Sequence, residues 1–226
     1  MAHHMVFGSM RGAAQKLLSQ PKALLTTTRN FISEMRKEAF EGNIIRLLRS
    51  EIQYEIDNSL PSKPVPKFGP FMIDERPGEQ WTRLNRKFGE KEEIKIDVTM
   101  FDGFVPVKKG GNISKEDEVY LHATMIVDIF KGENNDVLEF VCSAWPNSIE
   151  IRKVTMRMHG PATAQLYTGP PFKELDDKLQ DELYNFLETR GIDDDMGVFL
   201  NHYMRNKAKI EYIRWMGKAK SFIERK

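Results

Sequence analysis

The chain has 226 residues, of which 40% are hydrophobic and 30% charged, so it is long enough to bury a sizeable core in a single domain. No apolar run reaches the ~20 residues that cross a bilayer, which predicts no transmembrane segment. The one cysteine, Cys142, excludes an intramolecular disulfide and argues against a secreted disulfide scaffold. The net charge of +1 says little about partners, but the charges are unevenly distributed.

The first 33 residues contain no acidic side chain and are rich in hydroxyl residues. They carry the basic residues Arg11, Lys16, Lys22 and Arg29. This composition predicts a mitochondrial transit peptide over residues 1–33, with a disordered basic tail as the alternative. Removing it leaves 30 Lys and Arg against 33 acidic residues in one predicted domain over residues 34–226.

Residues 34–57 are predicted to form a helix that ends at Asn58-Ser59, before Pro61. Its apolar face is predicted from positions three, four or five apart: Phe40, Ile44, Leu47, Leu48 and Ile52. Four prolines between Pro61 and Pro70 then predict an extended linker.

The middle of the chain alternates apolar and polar residues with the period of two that β-strands show. Strands are predicted over residues 81–88, 94–100, 121–129, 137–144 and 149–158. Residues 102–118 contain three glycines and a proline and are predicted to form a long mobile loop, and residues 132–136 a hairpin turn. Consecutive strands with short turns indicate an antiparallel meander with one apolar face that helices must cover.

Two helices joined by a tight turn are predicted at the C-terminal end. Gly169, Pro170 and Pro171 set the first helix start, and Gly191 provides a left-handed C-terminal cap. Asp193 or Asp194 is predicted to cap the second helix, which runs to the end of the chain.

These helices separate opposite charges. Residues 171–195 carry nine acidic and three basic side chains, whereas residues 205–226 carry eight basic and two acidic ones. Such blocks favour pairing within one chain or between chains. The last helix also has two apolar faces, and the second includes Tyr212, Trp215 and Phe222. We predict that this second face contacts a neighbouring subunit; a helix sunk in one thick core is the alternative.

No catalytic, cofactor or metal site is predicted. Cys142 lies in an alternating strand without a partner histidine nearby, as a small core residue would. His122, His159 and His202 lack metal-ligand spacing. The Lys108–Gly111 stretch lacks the setting of a phosphate loop, and the basic C-terminal block lacks the interleaved aromatics that direct nucleic-acid binding would need.

Several motifs are similar to those of a known family. They are Leu183-Tyr184-x-Phe186-Leu187-Glu188-x-Arg190-Gly191-Ile192-Asp193, Glu211-Tyr212-Ile213-x-Trp215, Lys220-Ser221-Phe222, Leu138–Cys142 and Ser148–Val154. On them the chain resembles the mitochondrial acidic matrix protein family, also called the mitochondrial glycoprotein family, which includes the relatives of the complement globular-head-binding protein. The similarity is strong from about Val119 to the C-terminus and weaker from about Phe40 to Val119.

The resemblance implies an α+β fold: a seven-stranded antiparallel sheet flanked by one N-terminal and two C-terminal helices, in a doughnut-shaped homotrimer. It implies a non-enzymatic scaffold of the mitochondrial matrix, chaperone-like, that supports mitochondrial translation and oxidative phosphorylation. Basic proteins or ribosome-associated factors would be its partners. This chain lacks the long acidic insertions of the animal relatives, so we expect weak, salt-sensitive binding at the remaining acidic candidates: Glu116, Asp117, Glu118, Glu133, Asp136, Asp177, Asp181 and Asp194.

Two alternatives from other functional classes make checkable demands. A carrier of small apolar ligands would need an unfilled cavity behind Met125, Val127 and Met156. A hydrolase would need His122 or His202 within hydrogen-bond reach of a nucleophile.

Overall fold

Seven consecutive strands form one antiparallel sheet, with one helix before it and two after it. The computed structural model describes residues 22–106, 119–132, 136–157 and 167–225. The elements are α1 (Lys22–Asn58), β1 (Lys67–Phe68), β2 (Phe71–Asp74), β3 (Trp81–Phe88), β4 (Glu92–Pro106), β5 (Val119–Lys131), β6 (Val137–Ala144), β7 (Ile149–Arg157), a short 3-10 helix (Phe172–Glu174), α2 (Asp177–Glu188) and α3 (Asp194–Ile223). The predicted α+β fold class, with its seven-stranded antiparallel sheet and its three flanking helices, is confirmed.

The chain divides into two compact units. One comprises Met1–Glu51 with Ala219–Lys226, and the other comprises Ile52–Lys218 and therefore the whole sheet. Within the first unit, Arg49 of α1 and Glu224 form an ion pair at 2.7 Å. The domain boundary expected at residue 34 stays a prediction.

One face of the sheet forms the core of the larger unit. Alternate residues of the strands point to this face and are fully buried, among them Leu84, Ile96, Met125, Phe140 and Ile151. Apolar side chains of α2 and α3 join them: Leu187, Met196, Leu200 and Met204. The apolar face that the alternation predicted is therefore the face that the C-terminal helices cover.

The opposite face of the sheet carries cross-strand ion pairs. Arg83 of β3 makes a bidentate contact with Asp97 of β4, at 2.6 and 2.7 Å. On β7, Arg157 contacts Asp128 at 2.5 Å and Glu139 at 3.0 Å. Opposite charges on neighbouring strands reinforce the register that the hydrophobic pattern already sets.

Strands β4 and β5 are longer than expected. Residues 102–106, expected in a loop, continue β4, and Gly103 pairs with His122, Phe104 with Leu121 and Val105 with Tyr120. The loop was predicted from Gly103, Pro106 and two further glycines, but the register shifts between Val98 and Phe101 and again before Gly103, and such bulges accommodate glycine within a strand. We call the paired residues Gly103–Pro106 and Val119–His122 the β4–β5 arm. The rest of the predicted loop, residues 107–118, lies outside the described residues.

Strands β1 and β2 were missed because prolines flank them and they are short. Lys67 pairs with Met72, and Phe68 with Phe71, so the predicted proline-rich linker ends in a small hairpin. Phe68 stacks on Phe199 of α3 with ring centroids 4.3 Å apart. This contact ties the sheet edge to the helix layer.

Helix α1 begins earlier than predicted, at Lys22 rather than residue 34. No glycine or proline between Lys22 and Gly42 interrupts it. The predicted apolar face is also wrong in part, since Phe40, Ile44 and Leu47 are exposed. The half-buried side consists of Ile45, Leu48, Ile52 and Ile56.

The predicted joint between the last two helices is confirmed. Gly191 has φ +74°, the left-handed conformation of a C-terminal cap. The Asp193 carboxylate accepts a hydrogen bond from the Met196 N–H at 3.0 Å and so caps α3. The start of the first helix differs, because Phe172–Glu174 form a 3-10 turn and α2 begins only after the Asp176 cap.

Candidate binding surfaces

The outer face of α2 is an acidic surface. Asp177, Asp181, Glu182 and Glu188 are all exposed. Among the described residues no ion pair reaches any of the four. Exposed carboxylates without ion-pair partners attract cations, so this acidic face is suited to a basic ligand.

The remaining predicted acidic residues are placed less favourably. Asp194 is exposed, but its carboxylate accepts a hydrogen bond from the Ile149 N–H at 2.9 Å and links α3 to β7. Asp136 is half-buried at the start of β6. Glu116, Asp117, Glu118 and Glu133 lie outside the described residues.

The two charge blocks of the C-terminal helices do not pair with each other within the described part of the chain. The basic side chains of α3 find other partners: Lys209 contacts Glu55 at 3.3 Å, and Arg214 contacts Glu211. The acidic face of α2 therefore remains available to a ligand. The predicted ion pairing of the two blocks within one chain does not occur among the described residues.

A groove of about 350 Å³ lies between α3 and the turn that joins β2 to β3. Tyr212 and Trp215 line it with parallel rings 6.1 Å apart and are 41% and 60% exposed. Phe222, the third residue of the predicted subunit-facing set, is 74% exposed. Met204, two turns before Tyr212 on α3, is buried.

Buried contacts fix the shape of this groove. Lys207 is only 2% exposed, and its Nζ donates to the carbonyl oxygens of Glu75 and Arg76 at 2.7 and 3.1 Å. One turn further along, the Glu211 carboxylate accepts a hydrogen bond from the Gly78 N–H at 2.9 Å. Burial alone would raise the pKa of Glu211, but Arg214, the Gly78 N–H and Lys207 together lower it, so this carboxylate is held in its charged form.

The structure assembles no nucleophile with a base in the described residues. Cys142 is fully buried, and burial raises the pKa of its thiol to about 12. No hydrogen bond joins His122 to a hydroxyl or thiol in the described part of the chain, and His202 is exposed on α3. His159 lies outside it. No group of three or more metal-ligating side chains occurs among the described residues either.

The three side chains behind which a carrier of apolar ligands would need a cavity lie in different surroundings. Met125 and Val127 are fully buried among other core side chains. Met156 is 48% exposed at the end of β7. Among the helices of the described residues, none is long and apolar enough to span a bilayer.

Comparison with known proteins gives the chain a family. The model of the mitochondrial glycoprotein family, MAM33, matches residues 48–223. An uncharacterised mitochondrial protein of Arabidopsis thaliana is 28% identical over 86% of this chain and 80% of its own length. The mitochondrial acidic protein mam33 of Schizosaccharomyces pombe is 26% identical over 86% of this chain and 84% of its own length.

Solved structures share the fold. The Trypanosoma brucei p22 protein superposes with a TM-score of 0.66 at 21% identity, over 82% of this chain and all of p22. A Leishmania major protein described as a homologue of human p32 gives 0.61 at 20% identity, over 81% of this chain and 99% of its own. With the family model covering most of the sequence, the chain belongs to the mitochondrial glycoprotein family, and this membership supports a mitochondrial location.

Proposed function

We propose that the protein is a non-enzymatic binding scaffold of the mitochondrial matrix, chaperone-like, which holds basic partners and supports mitochondrial translation and oxidative phosphorylation. The observation that carries this proposal is the acidic face of α2, where four exposed carboxylates have no ion-pair partner among the described residues. Family membership and the lack of an assembled nucleophile among those residues agree with it.

A homotrimer is part of this proposal. Tyr212 and Trp215 form an exposed aromatic pair beside a pre-shaped groove, and Phe222 is exposed on the same helix. A second copy that covers these side chains would remove their apolar surface from water. Three copies would present three acidic faces, so that weak contacts with a multivalent partner add through avidity.

Binding is tested with an arginine-rich peptide as the probe, in 50 mM and 300 mM salt. Reversing two charges of the acidic face, Asp177→Lys with Asp181→Lys, should weaken binding roughly tenfold at low salt, given ~0–1 kcal/mol for each exposed pair. The matched control reverses Glu51 and Glu90, two exposed carboxylates outside α2. Equal losses in both double variants, or tight binding that resists 300 mM salt, would contradict a specific acidic face.

Assembly is tested by light scattering after gel filtration. We expect three times the chain mass of 26.2 kDa for the wild type and a smaller species for the Tyr212→Ala, Trp215→Ala double variant. Tyr167→Ala removes an aromatic side chain that is 85% exposed elsewhere and serves as the control. A wild-type monomer, or a double variant that keeps the wild-type mass, would refute this interface.

The cellular part of the proposal has its own readouts. Protease protection in mitochondria whose outer membrane has been opened should place the protein in the matrix. Depletion should lower the synthesis of mitochondrially encoded proteins in pulse labelling, and with it oxygen consumption. Normal synthesis and respiration after depletion would refute a role in translation and oxidative phosphorylation and leave only the binding role.

A further inference from the structure

We propose that His122 and Asp102 form a proton-controlled clamp at the base of the β4–β5 arm. A protonated imidazole closes an ion pair with the carboxylate and holds the arm to the sheet, and a neutral imidazole releases it. This inference does not depend on the proposed scaffold function. It rests on the contacts that surround His122 on the sheet face opposite the helices.

The imidazole lies close to a carboxylate without bonding to it. Nδ1 of His122 is 3.7 Å from Oδ1 of Asp102, and the His122 side chain is only 20% exposed. Nδ1 is buried and has no hydrogen-bond partner among the described residues. A buried nitrogen without a partner is unfavourable, and the protonated ring, in which both nitrogens are donors, adds a positive charge that attracts the Asp102 carboxylate to Nδ1 after a small movement.

The ring cannot easily turn away from Asp102. On one side it lies against the backbone of Gly103, where a Cβ atom would collide with the imidazole. On the other side the Trp145 ring lies 4.5 Å from it, centroid to centroid. Glycine at position 103 therefore makes room for the imidazole, and the two neighbours leave Nδ1 directed towards Asp102.

Asp102 connects this contact to both strands of the arm. Its carboxylate accepts hydrogen bonds from the Thr99 hydroxyl at 2.9 Å and from the Thr124 N–H at 3.1 Å. Thr99 lies in the first bulge of β4, between Val98 and Phe101, and Thr124 lies on β5 two residues after the end of the arm. A charge change at His122 is thus transmitted through Asp102 to the point where the arm leaves the regular sheet.

Within the described residues, the charged groups closest to Trp145 pair with one another. Across Trp145, the indole N–H donates to Glu150, which also contacts Lys173 at 2.9 Å and Arg152 at 3.2 Å. Burial alone would raise the pKa of Glu150, but the bonds from Lys173 and Trp145 and the Arg152 charge lower it, so this carboxylate does not change charge in the same range. From α3, Arg205 lies over Phe101 and Asn201 donates to the Leu121 carbonyl.

The direction of the effect follows from the charges. The ion pair requires the proton on the imidazole, so it forms on the acidic side and is lost when a rise in pH removes that proton. The arm carries Val105 and Tyr120, cross-strand partners that are 49% and 50% exposed. The clamp would control how rigidly the sheet holds this exposed apolar pair.

Hydrogen exchange of the full chain, measured at pH 5.5 and 8.0 and divided by the intrinsic rates, tests the clamp. In the wild type, amides of residues 121–124 should exchange roughly two- to fivefold more slowly at pH 5.5, the range of a partly exposed ion pair. His122→Gln and Asp102→Asn should both remove this difference, although Asn can still accept the bonds from Thr99 and Thr124. His202→Gln, which removes an exposed histidine on α3, should keep it.

The amides of residues 137–141 report whether each variant is folded. A second readout uses Trp145 emission in a chain with Trp81→Phe and Trp215→Phe, because a cation within ~6 Å of an indole perturbs it. Its change with pH should vanish on adding His122→Gln. A wild type without corrected pH dependence, or a folded His122→Gln variant that retains it in either readout, would overturn the proposal.

Discussion

The inner and outer sides of the α2–α3 region carry the same kinds of charged residue in opposite settings. On the inner side, Arg190 is 7% exposed and contacts Glu92 at 2.9 Å, with its guanidinium 3.5 Å from the Phe186 ring centroid. On the outer side, Asp177 and Asp181 face water without an ion-pair partner in the described residues. A buried charge requires a fixed partner, so the inner residues hold the fold and only the outer ones are free to bind.

The largest predicted effect is at the buried pair. Arg190→Met should lower the free energy of unfolding by about 3–5 kcal/mol, because it leaves the Glu92 carboxylate buried with only Lys131 to compensate. Chemical denaturation monitored by circular dichroism measures this. Asp181→Asn, which also removes one charge but on the outer side, should lower the free energy of unfolding by less than about 0.5 kcal/mol.

Two further variants separate loss of the pair from loss of packing. Arg190→Met combined with Glu92→Gln removes the stranded charge and should recover part of the loss. If the single Arg190→Met variant were as stable as the Asp181→Asn variant, the division into a structural inner side and a free outer side would be wrong.

A smaller effect is predicted for two glycines on opposite sides of α3. A Cβ at Gly197 would lie 2.9 Å from the Ser148 carbonyl oxygen, whereas at Gly217 nothing lies within 4 Å. Gly197→Ala should therefore destabilise the protein by about 1–3 kcal/mol through overpacking against backbone. Gly217→Ala should stabilise it by about 0.5–1 kcal/mol, since alanine favours a helix interior.

Thermal unfolding of the two alanine variants under identical conditions gives the comparison directly. The two changes add the same methyl group to the same helix, so helix propensity cancels between them. A destabilised Gly217→Ala variant would mean that this side of α3 is covered by something in solution, and a second copy would be the first candidate to examine.

The sequence predicts local features of the fold better than it predicts contacts between distant residues. Strands β3 and β6 begin and end at the residues predicted from the sequence, and Gly191 caps its helix as its position indicated. Such features depend on neighbours in the chain. The Arg190–Glu92 contact joins residues 98 positions apart, and no local pattern contains it.

The same reasoning explains the remaining differences. Gly103 and Pro106 made residues 102–106 resemble a loop, whereas two bulges, each of one residue, allow β4 to continue through them. The exposure of Phe40, Ile44 and Leu47 on α1 was missed because periodicity finds apolar stripes without saying which stripe is covered. For the candidate site, Tyr212, Trp215, Asp177 and Asp181 stay predictions, and no local pattern predicts the hydrogen bond that links Asp194 to β7.

A further effect, confined to alkaline pH, is predicted for the buried thiol of Cys142 on the covered face of the sheet. Burial raises its pKa from 9.0 to about 12, so the folded chain retains a proton that the unfolded chain loses above pH 9. Stability must therefore fall as the pH rises from 9 to 10, by about 1 kcal/mol from this group at a slope of at most 1.36 kcal/mol per pH unit.

Other groups titrate in the same range, so the measurement is the difference between the wild type and Cys142→Ala in urea unfolding at pH 8, 9 and 10. The difference between the two proteins should shift in favour of the alanine variant by about 0.4 kcal/mol from pH 8 to 9 and by about 1 kcal/mol from pH 9 to 10. A difference that stays constant to pH 10 would mean that the thiolate is accommodated in the core, and that burial on the inner side is less costly for a charge than the pairing of Arg190 with Glu92 implies.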